Sequence, residues 1–191
     1  MKNERITLDD VSIIAVSAGP GSFTGVRIGI STVKGLAFGR DISCVGVSTI
    51  LALAMNVDNE KKGTVICPVM DARRNQVYTA VYRCEGEELI PVVAQKACAL
   101  DEILAELNDL QQKVVLLGDG VDACKAQISA GLTVEYRMAA LHQNRQRAGS
   151  LATLALQKAE NGQTIPGSEL VPEYLRLSQA ERERLEKEQK E

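Results

Sequence analysis

A strand, a glycine turn and a long helix are predicted in direct succession between Val11 and Gly39. The run VSIIAVSAG is almost continuously apolar, which is typical of a strand buried on both faces of a mostly parallel sheet. A Gly-Pro-Gly turn at Gly19 ends the run, and Ser22 is placed to cap a helix predicted over residues 23–38. Proteins of the α/β class use this order to hold a phosphate, or to pack a crossover helix closely on its sheet.

The predicted helix carries two non-polar stripes. Its apolar residues form a seam at spacings of three and four: Phe23, Val26, Ile30, Val33 and Ala37. Glycine ridge positions follow at intervals of four: Gly21, Gly25 and Gly29. Glycine inside a helix costs up to about 1 kcal/mol relative to alanine, so we expect another backbone to approach closely. Either one face meets the sheet and the other meets a partner, or the helix is buried wholly inside its own domain.

The same turn has a second interpretation as a nucleotide site. The glycines after the strand are similar to a variant dinucleotide fingerprint, with free helix N–H groups available to a phosphate. However, the second predicted strand ends in Val45-Gly46-Val47-Ser48, where a Rossmann unit needs an acid. Lys34 precedes Gly35, where a Walker loop needs a lysine after its glycine. We therefore predict no cofactor here, and we read Gly118-Asp119-Gly120 as a βα turn more readily than as a nucleotide loop.

Strands and helices alternate through the rest of the chain, which indicates the α/β class. The predicted strands are 41–48, 64–70, 76–83, 89–94, 114–117 and 133–136, and the predicted helices are 49–55, 100–110, 121–130 and 148–160. A polar, turn-rich stretch over residues 57–63 is the best candidate for a domain boundary. Residues 167–177 read as extended, and the charged residues 178–191 read as a solvated helix or a frayed tail.

Composition narrows the functional classes. The 191 residues carry a net charge of -3 and only 3% aromatics, which argues against strong nucleic-acid binding or base stacking by the chain as a whole. The five cysteines are scattered, with no C-x-x-C pair, and we interpret them as reduced core thiols. No stretch resembles a membrane helix or signal peptide, so we expect a soluble, cytoplasmic protein.

No catalytic constellation is evident in the sequence. Nucleophilic catalysis by a hydroxyl such as Ser22 needs an oriented base, and His142, the only histidine, lies in a polar stretch without a patterned partner. One histidine and dispersed cysteines also provide no plausible metal set. Asp71, Arg73 and Arg74 form a loop that binds an anion or a partner, or is a solvated hairpin tip. The basic cluster around Arg145 and Arg147 is too small alone for a nucleic-acid site.

Three motifs identify the chain as similar to the bacterial TsaB (YeaZ) family. They are SAGPGSFTGVRIGISTVKGLAFG, MDARRNQVYTAVY and VPEYLR, in that order. The resemblance covers essentially the whole chain, and the first motif is highly specific. It implies an α/β, actin-like (ribonuclease H-like) two-lobed fold, with a remnant of the first lobe over residues 1–57, a second lobe over 58–170 and an extended segment with a charged tail over 171–191.

The resemblance also implies an incomplete first lobe. An actin-like first lobe opens with a hairpin, a third strand and a helix before the strand that begins here at Val11. Without that hairpin the chain lacks an ordinary nucleotide site. Three explanations of the missing part remain open: the start of the sequence is misassigned, the chain has been trimmed, or the first lobe is truly reduced. The strand would then expose an edge or a face, so we expect a homo-oligomer in isolation.

The function implied by the resemblance is that of a non-catalytic subunit. It would bind and activate the catalytic subunit TsaD and act with the ATPase TsaE to install the threonylcarbamoyl group on tRNA adenosine (t6A), reaching tRNA only through the complex. The family packs its glycine-rich helix on the TsaD counterpart or on a second copy. Candidate interface residues are Gly21, Phe23, Thr24, Val26, Arg27, Ile30, Val33 and Lys34. The alternatives are a nucleotide-binding enzyme using the Gly19–Gly25 turn and an inactive glycoprotease-like protein.

Overall fold

The computed structural model describes residues 6–57, 60–86 and 88–176, and its strands form two sheets. The first sheet has three strands in the order β1-β2-β8, where β1 is Ile13–Gly19, β2 is Ser43–Ser48 and β8 is Ile165–Pro166. Strands β1 and β2 are parallel, with Ile13 level with Ser43, and helix α1 (Phe23–Ala37) connects them. The predicted strand–turn–helix–strand unit is therefore present.

The second sheet has five strands in the order β5-β4-β3-β6-β7. Its members are β3 (Val65–Asp71), β4 (Gln76–Glu85), β5 (Glu88–Ala99), β6 (Val114–Leu117) and β7 (Tyr136–Met138). Strands β3, β4 and β5 form an antiparallel meander, whereas β3, β6 and β7 run parallel. The remaining helices are α2 (Thr49–Ala54), α3 (Leu100–Leu110), α4 (Asp119–Ala123), α5 (Lys125–Gly131) and α6 (Ala148–Glu160).

Aliphatic side chains fill the core, as the scarcity of aromatics requires. The largest cluster packs α3 and α5 on one face of the five-stranded sheet, with Ile103, Leu107 and Ile128 fully buried. A second cluster covers the other face, where Ile50 and Leu53 of α2 pack. Because both faces of the sheet are covered, the sequences of β3 and β6 are almost continuously apolar.

Most predicted elements are confirmed with ends that shift by no more than two residues, and three predictions differ by more than that. Helices α3 and α6 have the predicted ends. The predicted helix 121–130 is two short helices, α4 and α5, that meet at Cys124. Strand β5 continues to Ala99 because it pairs with β4 along most of its length. The last strand of the five-stranded sheet is Tyr136–Met138 rather than 133–136, since its pairing with β6 begins at Tyr136.

The last described part of the chain returns to the first sheet. Strand β8 pairs antiparallel with β2, and Leu154 and Ala155 of α6 pack against Val45 and Val47 of β2. These two elements fall within the segment predicted as the second lobe, yet they contact the three-stranded sheet. The proposed boundary at residues 57/58 adjoins residues outside the described part, and the predicted tail 178–191 lies wholly outside it. None of the described helices is long and apolar enough to cross a membrane.

Candidate partner-binding site

Helix α1 begins with a complete N-cap. The Ser22 hydroxyl accepts the N–H of Gly25 at 3.4 Å, and the Ser22 carbonyl accepts the N–H of Val26 at 2.9 Å. The N-cap predicted at Ser22 is thus confirmed. Its role is structural.

Most of the predicted seam of α1 faces the sheet, whereas its first residue, Phe23, is exposed. Ile30 and Val33 are only 3% and 6% exposed and belong to a cluster with Leu170, Ile42 and the β2 residue Cys44. Lys34 is half-buried, and its Nζ donates to the Ser168 carbonyl at 3.1 Å. Residues Ile30 and Val33 therefore offer no surface to a partner, because their side chains already fill the core of this chain.

The other predicted interface residues divide by exposure. Phe23, Thr24 and Arg27 are exposed, whereas Gly21 and Val26 are half-buried at the junction with the core. The exposed residues line a shallow concavity of about 440 Å³ on the outward side of the helix. We call its lining the outer face: Phe23, Thr24, Arg27, Ile28, Ser31 and Thr32.

Sequence reasoning missed Ile28, the most exposed apolar residue of this face. Its side chain is 61% exposed, although it belongs to an otherwise aliphatic helix. Thr24, Ile28 and Ser31 recur at spacings of four and three, which marks a helix face distinct from the buried seam. That spacing was the available signal, but the larger apolar residues of the seam obscured it.

Arg27 is held in place by two aromatic rings. Its guanidinium carbon lies 3.9 Å from the centroid of the Phe23 ring and 5.8 Å from that of Tyr174. The Arg27 Nε also donates to the Tyr174 hydroxyl at 2.7 Å, and the two rings stack with centroids 5.0 Å apart. Tyr174 belongs to the VPEYLR motif, so a distant segment completes the first turn of the outer face.

The glycine turn before α1 is occupied by protein backbone. A Cβ on Gly19 would lie 2.1 Å from the carbonyl oxygen of Glu173, and the φ of +132° at Gly19 itself favours glycine. The N–H of Glu173 donates to the Ala18 carbonyl at 2.7 Å. Gly19 therefore serves the close approach of the C-terminal segment, and a phosphate would have to displace that segment to reach the turn.

The second glycine motif is explained in the same way. A Cβ on Gly118 or Gly120 would lie 2.2 or 2.9 Å from the carbonyl oxygen of Val69, so both glycines allow α4 to pack on β3. Asp119 accepts the N–H of Asp71 through its Oδ1 at 3.2 Å. This agrees with a βα turn held against the neighbouring strand.

The cysteine side chains lie mostly in the core, as predicted. Four cysteines are buried and Cys124 is half-buried. Burial raises the pKa of the Cys67 thiol to about 12, an effect that its hydrogen bond with Thr79 only partly offsets. Within the ranges that the structure describes, no three His, Cys, Asp or Glu side chains are grouped so as to hold a metal ion.

Known proteins similar to this chain identify its family. Residues 1–184 match the family model of TsaD, described as tRNA N6-adenosine threonylcarbamoyltransferase. The tRNA threonylcarbamoyladenosine biosynthesis protein TsaB of Bacillus subtilis is 37% identical over 172 residues, which is 90% of this chain and 72% of that protein. The chain belongs to the TsaB family. The Escherichia coli TsaB is 31% identical over 172 residues, covering 89% of this chain and 73% of the relative.

Solved structures agree on the fold. YeaZ from Pseudomonas aeruginosa superposes with a TM-score of 0.72 at 24% identity, covering 91% of this chain and 79% of that one. A second Pseudomonas aeruginosa structure, of an uncharacterized protein with similarity to peptidase YEAZ, gives the same TM-score over 92% of this chain and 78% of the other. This TsaB-family chain thus has the actin-like, ribonuclease H-like α/β fold expected from its sequence.

Proposed function

We propose that this chain is a non-catalytic subunit of the bacterial t6A synthase and binds the catalytic subunit TsaD through the outer face of α1. The observation that carries the proposal is the outer face itself. It combines an exposed isoleucine, Ile28, with a guanidinium that stacks on the Phe23 ring and donates to the Tyr174 hydroxyl, in a chain whose relatives are named for threonylcarbamoyladenosine biosynthesis. Aromatic and arginine side chains that become buried against a partner, beside an apolar patch, are typical of the energetically dominant part of an interface.

The residues of this chain favour an accessory role over catalysis. The sequence has one histidine, His142, which is exposed in a short 3-10 helix over Leu141–Gln143. Ser22 caps α1, and the space at Gly19 is filled by the Glu173 carbonyl. The metal ligands and the nucleotide site of the reaction would then belong to TsaD, with TsaE as the third component.

The shape of the outer face suits a second helix. Thr24, Ser31 and Gly35 are small and exposed on α1, so a partner helix can approach its backbone closely while Ile28 enters the partner's surface. The match of residues 1–184 to the TsaD model supports a partner with an equivalent helix. Two similar helices can pair about an approximate twofold axis, and the same face would pair with a second copy when TsaD is absent.

The test is a pull-down of the TsaD protein from the same organism with Ile28→Glu. We expect this variant to lose TsaD binding, because the glutamate places a charge in the apolar centre of the proposed interface. The matched control is Leu156→Glu, since Leu156 is an exposed leucine of α6 at 58% exposure against 61% for Ile28. Circular dichroism should show the same folded spectrum for both variants.

Light scattering gives a second result from the same proteins. We expect the isolated wild-type chain and Leu156→Glu to form homodimers, and Ile28→Glu to be monomeric. Retention of TsaD by Ile28→Glu would contradict the assigned surface, and a monodisperse wild-type monomer would contradict self-association.

A further inference from the structure

The parallel strands of the second sheet bring two separate basic stretches to one edge. Strands β3, β6 and β7 run parallel and are neighbours, so the loops that follow β3 and β7 leave the sheet at the same side. The first loop contains Arg73 and Arg74, and the second contains Arg145 and Arg147. Sequence reasoning treated these stretches separately: it left the first open as an anion or partner site or a solvated hairpin tip, and it found the second too small alone for a nucleic-acid site.

Direct contacts hold the second loop against the ends of β3 and β6. The Nε2 of Gln146 lies 3.7 Å from the Met70 sulfur, one residue before the end of β3. The N–H of Gly118, directly after β6, donates to the Oδ1 of the buried Asn144 at 3.3 Å. Arg145 and Arg147 flank Gln146, so they lie beside the β3–β4 hairpin. We call the four side chains Arg73, Arg74, Arg145 and Arg147 the arginine edge.

The charges of the arginine edge face solvent and outnumber those of the nearby acidic side chains. All four arginines are exposed, and among the described residues only Arg73 has an ion-pair partner, Asp71 at 3.2 Å. Asp71 also accepts the N–H of Arg73 at 2.7 Å, and Asp119 accepts the N–H of Asp71. The four arginines outnumber the acids at the end of β3 and on α4, which are Asp71, Asp119 and Asp122. The edge therefore keeps an excess of positive charge in a chain whose net charge is -3.

Both loops are held by the fold beneath them. Asn56 is 4% exposed, and its amide donates to the Gln143 and Arg145 carbonyls at 2.7 Å each. The Ser150 hydroxyl donates to the Asn56 Oδ1 at 2.7 Å, so both the nitrogen and the oxygen of this buried amide are hydrogen-bonded. At the hairpin, Arg73, Arg74 and Asn75 all have positive φ, at 63°, 56° and 57°. Three consecutive left-handed residues are uncommon outside glycine, and such backbone persists where the surrounding structure fixes it.

We propose that the arginine edge contacts the phosphate backbone of the substrate tRNA when this chain is part of the synthase complex. The proposal rests on the proposed function for the identity of the RNA. A guanidinium presents a planar fork that matches phosphate oxygens in pairs, and fixed, exposed arginines on one edge bind a polyanion without reading its sequence. RNA is favoured over an acidic protein because the family's substrate is a tRNA and the edge lies on the second sheet, whereas the proposed TsaD surface lies on α1.

The experiment compares two double charge reversals that change the net charge equally. The test variant is Arg74→Glu with Arg147→Glu. The control is Lys61→Glu with Lys62→Glu, because these exposed lysines precede β3 at the opposite end of its sheet. Each protein is first tested for TsaD binding by pull-down. An unmodified tRNA transcript is then titrated by filter binding at several salt concentrations, onto the complex where it forms and onto the chain alone.

We expect the test variant to weaken tRNA binding about tenfold or more at low salt and to lower the salt-dependence slope by about 2. The control should stay within about twofold of wild type. Equal binding by test variant and control would overturn the proposal. The proposal would also be overturned if the test variant lost TsaD binding while the control kept it, because the edge would then be a contact with TsaD. If wild type itself fails to bind TsaD, the proposed function fails, and the tRNA contact, which requires the complex, falls with it. If wild type and both variants bind TsaD but the test variant binds tRNA as well as the control, only the arginine edge is overturned.

Discussion

The backbone of Glu173 in the C-terminal segment lies directly against Gly19 at the end of β1. The glycine turn allows two chemistries by sequence, a phosphate cradle or a close packing site. The Glu173 carbonyl occupies the position of a Gly19 side chain, so packing is the use made of it. The same residue-level evidence separates the seam of α1 from its outer face, which the spacing of apolar residues alone does not do.

We predict that Gly19→Ala destabilises the protein by about 3 kcal/mol, because the new Cβ meets the Glu173 carbonyl at 2.1 Å in a backbone region that suits glycine. Urea denaturation measures the change. Gly35→Ala is the control, since no heavy atom lies within 4 Å of its added Cβ, and we expect it to gain about 0.5–1 kcal/mol from helix propensity. Equal midpoints for the two variants would contradict the packing role of Gly19.

At the scale of the element, α1 packs one face into its own core and leaves the outer face, the proposed TsaD surface, exposed. Its sequence predicts two non-polar faces, and the structure assigns Ile30 and Val33 to the inner one. Lys34 and Arg27 connect α1 to Ser168 and Tyr174, so residues 168–174 are fastened along the helix. A charged substitution at Ile30 would therefore test folding rather than partner binding.

We predict opposite consequences for two isoleucines of α1 that are two residues apart. Ile30→Ala should lower the free energy of unfolding by about 3 kcal/mol, because it leaves a cavity where the side chain was 3% exposed. Ile28→Ala should change it by no more than about 0.5 kcal/mol and instead weaken TsaD binding. Chemical denaturation and pull-down, done on both variants, separate the roles. A large stability loss in Ile28→Ala would show that this residue also serves the fold.

At the scale of the molecule, the C-terminal segment ties the two sheets together. Leu170 packs in the cluster under α1, whereas Leu175 packs against the cluster between α2 and the five-stranded sheet. Arg176 then donates from its guanidinium to the Ala72 carbonyl at 2.6 Å, at the hairpin that carries part of the arginine edge. The segment thus spans from the proposed TsaD surface to the proposed tRNA surface.

We predict that the two sheets differ in local stability. Amide hydrogen exchange should be slower in β3, β4 and β6, which have neighbours on both sides, than in β1, which pairs only with β2 among the described strands. Tyr174→Ala should speed exchange in β1 and the first turn of α1, because it removes the ring and the hydroxyl that hold Phe23 and Arg27. Uniform acceleration across both sheets would instead indicate a single cooperative unit.

The sequence by itself determined the elements whose signals are local. The ends of α3 and α6, the N-cap at Ser22 and the buried strands follow from periodicity and capping over a few residues. The family motifs also sufficed for the actin-like fold. The two short helices meeting at Cys124 were missed because their combined apolar spacing imitates one helix.

Only the tertiary structure decided which face of α1 is free, what fills the glycine turn and which basic loops meet. Each depends on contacts between residues far apart in the chain, such as Arg27 with Tyr174 across 147 positions. Local propensity carries no information about such pairs, because the same apolar spacing fits a core or a partner. Burial of Ile30 beneath the helix settles that choice and leaves Ile28 on the outside.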